Sequence, residues 1–512
     1  MWWVAIAIAA ALGVRYWLSV RPHSHWVEKG VEQGPPRFSV WLNWQTIIRK
    51  LAIAEMVEVV YNICPKTRYS GFYLFLQPIL VLKDLDLIKQ IYVKDFDHFL
   101  DRRTLIPEDN DPLWDKNLFA LTGEKWREMR ATLSPAFTRT KMKYMFTLIW
   151  QNGEQFTEYF LNQKRKLVTV EMKDILTRLT SDVIANTVFG VECDSLKDRK
   201  NEFYLMAKEA TDFGSFRKKF ILAGYLLIPK LFKIFKITMF SKSFGKFFTN
   251  LVTTNIRSRE KLGIVRPDVI QVLLEARAFL QDAKPEINKN NKTEITDQDI
   301  VSQALVFLFA GFETVSTLMC FMSYELALNP DIQTKLIQEV DETVEACKGK
   351  VTYESLLGMK YMDMVVSETL RKWPNLVALD RVCTKPYTIE AKYPDERPIH
   401  LEKGAVVWLP VFGLHRDPEF FPEPDRFDPE RFSDENKAKI KPYTYVPFGA
   451  GPRNCIGYRF ALLETKILFF NILLRFEIVP VEKTQIPLVL SKKHFSLIAE
   501  KGFWLGLKRR RE

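Results

Sequence analysis

The sequence predicts a mainly α fold with a small β region. Helical periodicity dominates from Thr122 onward. Its longest run, residues 296–329, is apolar on nearly every side. Strand-like stretches are short and confined to residues 69–82 and to the last quarter of the chain. The 512 residues are 47% hydrophobic and 13% aromatic, enough for a large core. Length alone suggests about two to four domains.

Composition excludes several classes of function. The net charge of +12 suits an anionic membrane or an acidic protein partner. Nucleic acid is not expected, because there is no Cys/His finger spacing and no basic recognition helix. The six cysteines (64, 193, 320, 347, 383 and 455) form no C-x-x-C pair. That pattern argues against a disulfide framework and a zinc site, and for a reducing compartment.

Residues 2–14 are an unbroken apolar run, followed by Arg15 and five further residues of aromatic and apolar character. A signal peptide would carry a charged stretch before such a run. Residues 1–20 are therefore expected to be an uncleaved transmembrane anchor, close to the roughly 20 residues a span requires. An amphipathic or buried helix is the other reading. Arg15, Arg21 and Lys29 follow the run and place the body in the cytosol. Residues 21–36, ending Gly34-Pro35-Pro36, form a stiff basic hinge, and residues 37–512 form the body.

Strands are expected at 69–76 and 79–82 and a helix at 84–92. Residues 100–120 read as a loop, either plain surface or a lid. Trp126 and Arg130, four apart, share one helix face beside Lys125, Arg127, Arg139, Lys141 and Lys143. Residues 213–259 hold ten Lys/Arg and no Asp or Glu, interleaved with aromatic and aliphatic residues. A second membrane contact explains the apolar residues better than a solvated basic face does. Residues 281–295 form a polar surface loop, whose sequon at Asn291 stays unused in the cytosol.

The long helix opens with a capping box, Thr296 and Asp299. In its middle, Ala310-Gly311-Phe312-Glu313-Thr314 breaks the apolar pattern. Gly311 costs about 1 kcal/mol against alanine. Thr314 can bond back to the Ala310 carbonyl and open the helix. A buried Glu313 needs a partner or water. A kinked functional site is the expectation. A further helix, 361–373, carries Glu368 and Arg371 at pairing distance and stops at Pro374. Strands are expected at 387–390, 399–401 and 406–410, then an irregular meander through 415–432. His415 lies in that meander and is not expected to bind metal. Short strands should close the chain over 486–507, before a solvated basic tail at 508–511.

The stretch 445–463 concentrates the chemistry. Cys455 lies between a Gly/Pro-rich loop and an apolar helix, where the helix terminus and Arg453 would favour thiolate. Gly449, Gly451 and Gly457 allow sharp turns and close approach to a flat ligand. Phe448, Gly451, Arg453, Cys455 and Gly457 complete the pattern F-x-x-G-x-R-x-C-x-G.

That pattern resembles the haem-ligand loop of the cytochrome P450 family of haem-thiolate monooxygenases. The resemblance runs from about residue 30 to the end. It includes the A-G-x-(D/E)-T run at 310–314, E-x-x-R at 368–371 and P-E-R-F at 429–432, in family order. It implies the cytochrome P450 fold, a single two-lobed body, in place of several domains. It implies haem b with Cys455 as axial ligand of the iron and Phe448 in the ligand loop. Arg102, Trp126, Arg130, Arg381 and Arg453 would meet the haem propionates. Glu313 and Thr314 would serve a distal proton relay. Glu368, Arg371 and Arg431 would form a buried network.

The chain has no flavin or nicotinamide motif, since Gly449-Ala450-Gly451 runs into Pro452-Arg453-Asn454. The resemblance therefore implies electrons from NADPH through a separate cytochrome P450 reductase, with cytochrome b5 as a second candidate donor. Basic clusters at 125–143 and 437–441 are candidate docking charges. It also implies the endoplasmic reticulum membrane, with the body on the cytosolic face. The sequence around Arg371, Arg381 and 266–276 resembles insect microsomal members. That implies apolar xenobiotics such as plant toxins or insecticides, or endogenous terpenoids and steroids. The pocket lining is expected from 103–120, 205–214, 306–314, 375–379 and 495–501, with Phe213, Phe216, Phe307 and Phe495 as candidates. Two other readings stay open. One is a haem-thiolate isomerase or dehydratase that needs no reductase; the other is a non-catalytic haem or ligand-binding protein.

Overall fold

Helices packed around one apolar helix organise the chain, and three small sheets flank them. The computed structural model describes residues 24–510 except 36–37, 48, 75–76, 105, 107–109, 213–214, 228, 267, 283–294 and 495. The anchor expected at 1–20, the start of the hinge, the sequon, Phe213 and Phe495 lie outside the described residues, as does the side chain of Phe216.

The helices that position the site are α1 (Gly123–Leu133), α2 (Arg139–Leu161), α3 (Met172–Thr187), α4 (Lys242–Leu262), α5 (Asp297–Leu328), α6 (Lys360–Lys372) and α7 (Tyr458–Arg475). The capping box at the start of α5 forms: Asp299 N donates to Thr296 Oγ1 at 3.2 Å and Thr296 N to Asp299 Oδ2 at 2.8 Å. Two of the orphan donors of the first turn are thereby satisfied. α5 is long and apolar enough to cross a membrane, yet it is mostly buried inside the protein. It packs chiefly against α3.

The glycine in α5 serves that contact. A Cβ on Gly311 would lie 2.4 Å from Cδ1 of Ile184 on α3. α5 is continuous as a helix through 310–314. Thr314 Oγ1 donates back to the Ala310 carbonyl at 2.5 Å, as its spacing suggests. Packing across a narrow helix–helix gap holds the backbone in place.

One sheet joins β1 (Tyr69–Leu74), β2 (Gln77–Leu82), β4 (Leu379–Val382) and β7 (Val406–Leu409) in the order β1-β2-β7-β4. β2 and β7 run parallel, and the other neighbours run antiparallel. A second sheet has the order β3-β9-β8, from β3 (Leu167–Glu171), β8 (Phe476–Pro480) and β9 (Trp504–Arg509). β5 (Tyr387–Ile389) and β6 (Ile399–Leu401) pair alone. Strands β3, β4 and β8 were not expected. β8 begins at Phe476, directly after α7 ends at Arg475, with no glycine or proline to mark the change. The C-terminal basic run is only partly the solvated tail expected: Lys508 is exposed, and Arg511 lies outside the described residues. Lys508 and Arg509 belong to β9, and Arg510 Nη1 donates to the Leu473 carbonyl at 2.6 Å and pairs with Asp341.

Candidate active site

The Cys455 loop is built by tight backbone turns. Gly449 (φ +81°) and Gly451 (φ +71°) take the left-handed conformation that glycine alone adopts freely. A Cβ on Gly451 would lie 1.8 Å from the Tyr92 carbonyl oxygen. Gly451→Ala is therefore expected to cost about 3 kcal/mol or more, since a clash adds to backbone strain. Chemical denaturation of the variant measures this; a loss below about 1 kcal/mol would contradict the close approach. Gly457 differs, with an ordinary φ of −92° as N-cap of α7. Cys455 N donates to the Phe448 carbonyl at 2.8 Å, which closes the loop under the side chain.

One cavity of about 370 Å³ brings the sequence-derived residues together. Cys455 and Phe448 line it from the loop, Trp126 and Arg130 from α1, and Thr314 from α5. Arg102 and Arg453 also line it; Arg381 and Glu313 do not. Cys455 has accessible surface, but that surface faces this internal space and the residue is deep in the protein. Burial pushes its thiol up from the ordinary value, against a hydrogen bond from Gly457 and the charges of Arg130 and Arg102. The helix terminus and Arg453 thus do not supply a thiolate by themselves. A coordinated metal ion would, because it deprotonates a thiol ligand outright.

The arginines differ in how their donors are used. Arg130 donates to the Asn454 carbonyl at 3.0 Å and to Asn454 Oδ1 at 2.9 Å. Arg102 Nη2 donates to the Arg453 carbonyl at 3.0 Å. Arg453 donates to the carbonyls of Leu100 (2.6 Å), Phe119 (3.3 Å) and Leu121 (2.6 Å), and stacks 4.8 Å from the Trp126 ring centroid. It pins the 100–121 segment to the Cys loop. Arg381 is fully buried on β4, packs 4.6 Å from the Tyr92 ring centroid, and leaves its Nε without a partner. Burial lowers Arg381 to about 10, with Arg102 adding to the effect. Burial, then Arg102 and Arg381, lowers Arg453 to about 9. Three crowded cations oppose one another here, so an anion among them would be stabilised.

Glu313 and Thr314 are adjacent in sequence but face different ways, since successive helix residues point about 100° apart. Thr314 shares the cavity face of α5 with Phe307, Ala310 and Leu318. Glu313 faces α3, where Lys173 Nζ meets its Oε1 at 3.1 Å. Lys173 is the partner a buried Glu313 requires. It lies 140 residues earlier, on another helix, so no local spacing signals it.

The Glu368–Arg371 pair is fully buried. Arg371 Nε and Nη2 donate to the two Glu368 oxygens at 2.7 and 2.8 Å, a bidentate pair. Arg431 Nε lies 3.5 Å from Glu368 Oε1, as the third member. His415 extends this network to the Cys loop. Its Nε2 accepts from Val446 N at 2.9 Å, while Arg371 Nη1 donates to its carbonyl at 2.9 Å. Burial, reinforced by Arg371, lowers His415 to about 3, so it is neutral. Sequence reading set His415 aside as scaffold and missed this link.

The cavity is strongly aromatic. Trp114, Phe119, Phe307 and Phe309 line it, and Phe240 and Phe244 stand behind Phe309 at 5.0 and 6.0 Å between ring centroids. Asn375, Leu376 and Leu379 line it as expected for 375–379. No described residue of 205–212 or 496–501 does. Tyr204 instead packs on Phe312, 6.0 Å away, on the side of α5 turned from the cavity.

Residues 33–505 match the family profile described as Cytochrome P450. The chain is 46% identical over 483 residues to Cytochrome P450 9e2 of Blattella germanica, covering 91% of this chain and 90% of that one. It is 41% identical over 515 residues to Probable cytochrome P450 9f2 of Drosophila melanogaster, covering 98% of each. Cytochrome P450 6k1 of Blattella germanica is 36% identical over 511 residues, with 97% and 95% covered.

Proposed function

This chain belongs to the cytochrome P450 family of haem-dependent monooxygenases, and from that premise we propose that it inserts one oxygen atom into apolar organic substrates, xenobiotics among them. The observation that carries the reading is a single cavity lined both by Cys455 and by Thr314. Haem fits what surrounds it. A thiol opens onto an otherwise apolar and aromatic space. Arg102 and Arg453 at its edge and Arg381 behind them oppose one another, and Arg381 leaves its Nε without a partner, so anions would be held here. Haem with a cysteinate ligand supplies the oxidising chemistry.

The chain's own residues set the rest. Cys455 would hold the haem iron through its sulfur. Arg102, Arg130 and Arg381 would bind the propionates, with Arg453 and Trp126 holding the surrounding segments. Thr314 donates and accepts protons at the cavity face, supplied by Glu313. The aromatic wall excludes water and selects apolar ligands.

Electrons come from NADPH through a separate reductase, docked on exposed basic residues near the start of α2. Lys143 is exposed and pairs with Glu354 at 2.9 Å, a surface pair of little worth. Membrane attachment at the endoplasmic reticulum rests on the apolar N-terminus and on a second surface. Trp41 and Trp44 are more than half exposed, as are Phe220, Ile234 and Phe235. Burial, then the nearby charge of Arg49, lowers Lys219, so a cation of one segment lies close to a cation of the other. Such a basic, apolar face suits anionic lipid.

Reconstitution with an NADPH-dependent diflavin reductase tests the reading. NADPH consumption is expected to rise with an apolar substrate, and Lys143→Glu is expected to lower turnover and flatten its salt dependence. Product formed without NADPH would favour an isomerase instead. Turnover equal in Lys143→Glu at every ionic strength would remove this docking face.

A further inference from the structure

Among the described residues, four hydroxyl or amide side chains line the cavity, and three of them are occupied. Thr187 Oγ1 donates to the Val183 carbonyl at 2.7 Å, and Thr314 Oγ1 to the Ala310 carbonyl at 2.5 Å. Asn454 Oδ1 accepts from Arg130 at 2.9 Å. Asn375 is the exception. Its Oδ1 is closed off from solvent and has no hydrogen-bond partner. A buried acceptor left unpaired is costly, and an apolar side chain of the same shape would avoid that cost. The backbone on either side is firmly held. Trp373 Nε1 donates to Glu325 Oε1 at 2.7 Å, and Phe412 N donates to the Val377 carbonyl at 2.9 Å. The amide therefore stands on a fixed segment, in a cavity whose other walls carry Trp114, Phe307 and Phe309.

We propose that Asn375 is a specificity-determining residue that hydrogen-bonds a hydroxyl group carried by an apolar substrate. This rests on the reading of the cavity as the substrate site of a monooxygenase. A side-chain amide offers one acceptor and two donors. A hydroxyl both donates and accepts, so it meets Oδ1 or Nδ2 once the amide rotates. A carbonyl only accepts and leaves Oδ1 unpaired, and a hydrocarbon meets neither end. The rest of such a molecule lies against the aromatic wall, where burial of apolar surface holds it. With one end fixed at Asn375, the skeleton presents few of its carbons to the Thr314 face of α5. A site built around a polar group discriminates more sharply than apolar contacts do, because a ligand without that group leaves the amide orphaned.

Three probes with one carbon skeleton test this on the haem-loaded chain. Menthol carries a hydroxyl, menthone a carbonyl and p-menthane no polar group. Binding is read from the haem absorption band and by calorimetry, without turnover. The ratio of menthol to p-menthane affinity is expected to fall about tenfold in Asn375→Leu, the scale of one well-placed hydrogen bond. Taking the ratio cancels the different hydration of the two probes. The menthone ratio is expected to fall less. Asn375→Ser, which keeps a hydroxyl, is expected to retain part of the menthol preference. A crystal structure of the wild-type chain with menthol is expected to place its oxygen within hydrogen-bonding distance of the Asn375 amide. With reductase and NADPH, menthol is expected to give fewer products in wild type than in Asn375→Leu. An unchanged ratio in Asn375→Leu, or a menthol oxygen seated away from Asn375, would overturn the proposal. A tenfold fall in the ratio with no oxygenated product from any probe would support the hydroxyl site and count against the monooxygenase reading instead.

Discussion

Cys455→Ser is expected to yield a folded protein that lacks the red-shifted Soret band of the reduced carbon-monoxide complex and has no measurable turnover. The change is small in volume. The loop-closing hydrogen bond to Phe448 is made by the Cys455 backbone, so it survives. The thiol is lost, and with it the soft, electron-donating ligand that the band reports. A serine hydroxyl in this buried site has no comparable tendency to ionise. Circular dichroism and thermal unfolding close to wild type would separate loss of ligation from loss of fold. Survival of the band in Cys455→Ser would show that another residue ligates the iron.

Arg371→Ala is expected to have the largest effect on stability, about 3–5 kcal/mol, because it strands a buried charge. Glu368 would lose both bidentate contacts and keep only Asp428 N, at 3.0 Å, and the longer approach of Arg431. The carbonyls of His415, Pro424 and Arg426 would lose their donor as well. The damage reaches the site through His415, which joins Arg371 to Val446 at the foot of the Cys loop. Haem content per protein is therefore expected to fall along with the denaturation midpoint. Arg371→Lys is expected to rescue little, since one ammonium cannot reproduce a planar fork that reaches Glu368 and three carbonyls. A variant with full haem content and an unchanged midpoint would contradict this role.

The sequence displayed the parts of this site that depend on local chemistry. The turns at Gly449 and Gly451, the cap at Thr296 and the Thr314 back-bond are short-range features, and each forms as its residues suggest. Long-range partners were not legible. Lys173 meets Glu313 across two helices, and His415 meets Val446 across a loop; neither spacing recurs in sequence. Gly311 looked like a weak point in a helix and proved to be a contact surface, because its neighbour Ile184 belongs to a distant segment. The short strand holding Arg381 also escaped notice. Four residues with a charged pair inside show no alternation, and β4 exists because β7 pairs with it. Burial of Cys455 is likewise a property of the fold, and it pushes the thiol up against the charges of Arg130 and Arg102.

The chemistry assigned to this cavity is tested most directly by isotope labelling. The wild-type chain is reconstituted with haem, an NADPH-dependent reductase and an apolar substrate under isotopically labelled dioxygen. The product is expected to carry one labelled oxygen atom, at a rate that follows NADPH consumption and vanishes in Cys455→Ser. Product whose added oxygen comes from water, or that forms without NADPH, would contradict the assignment.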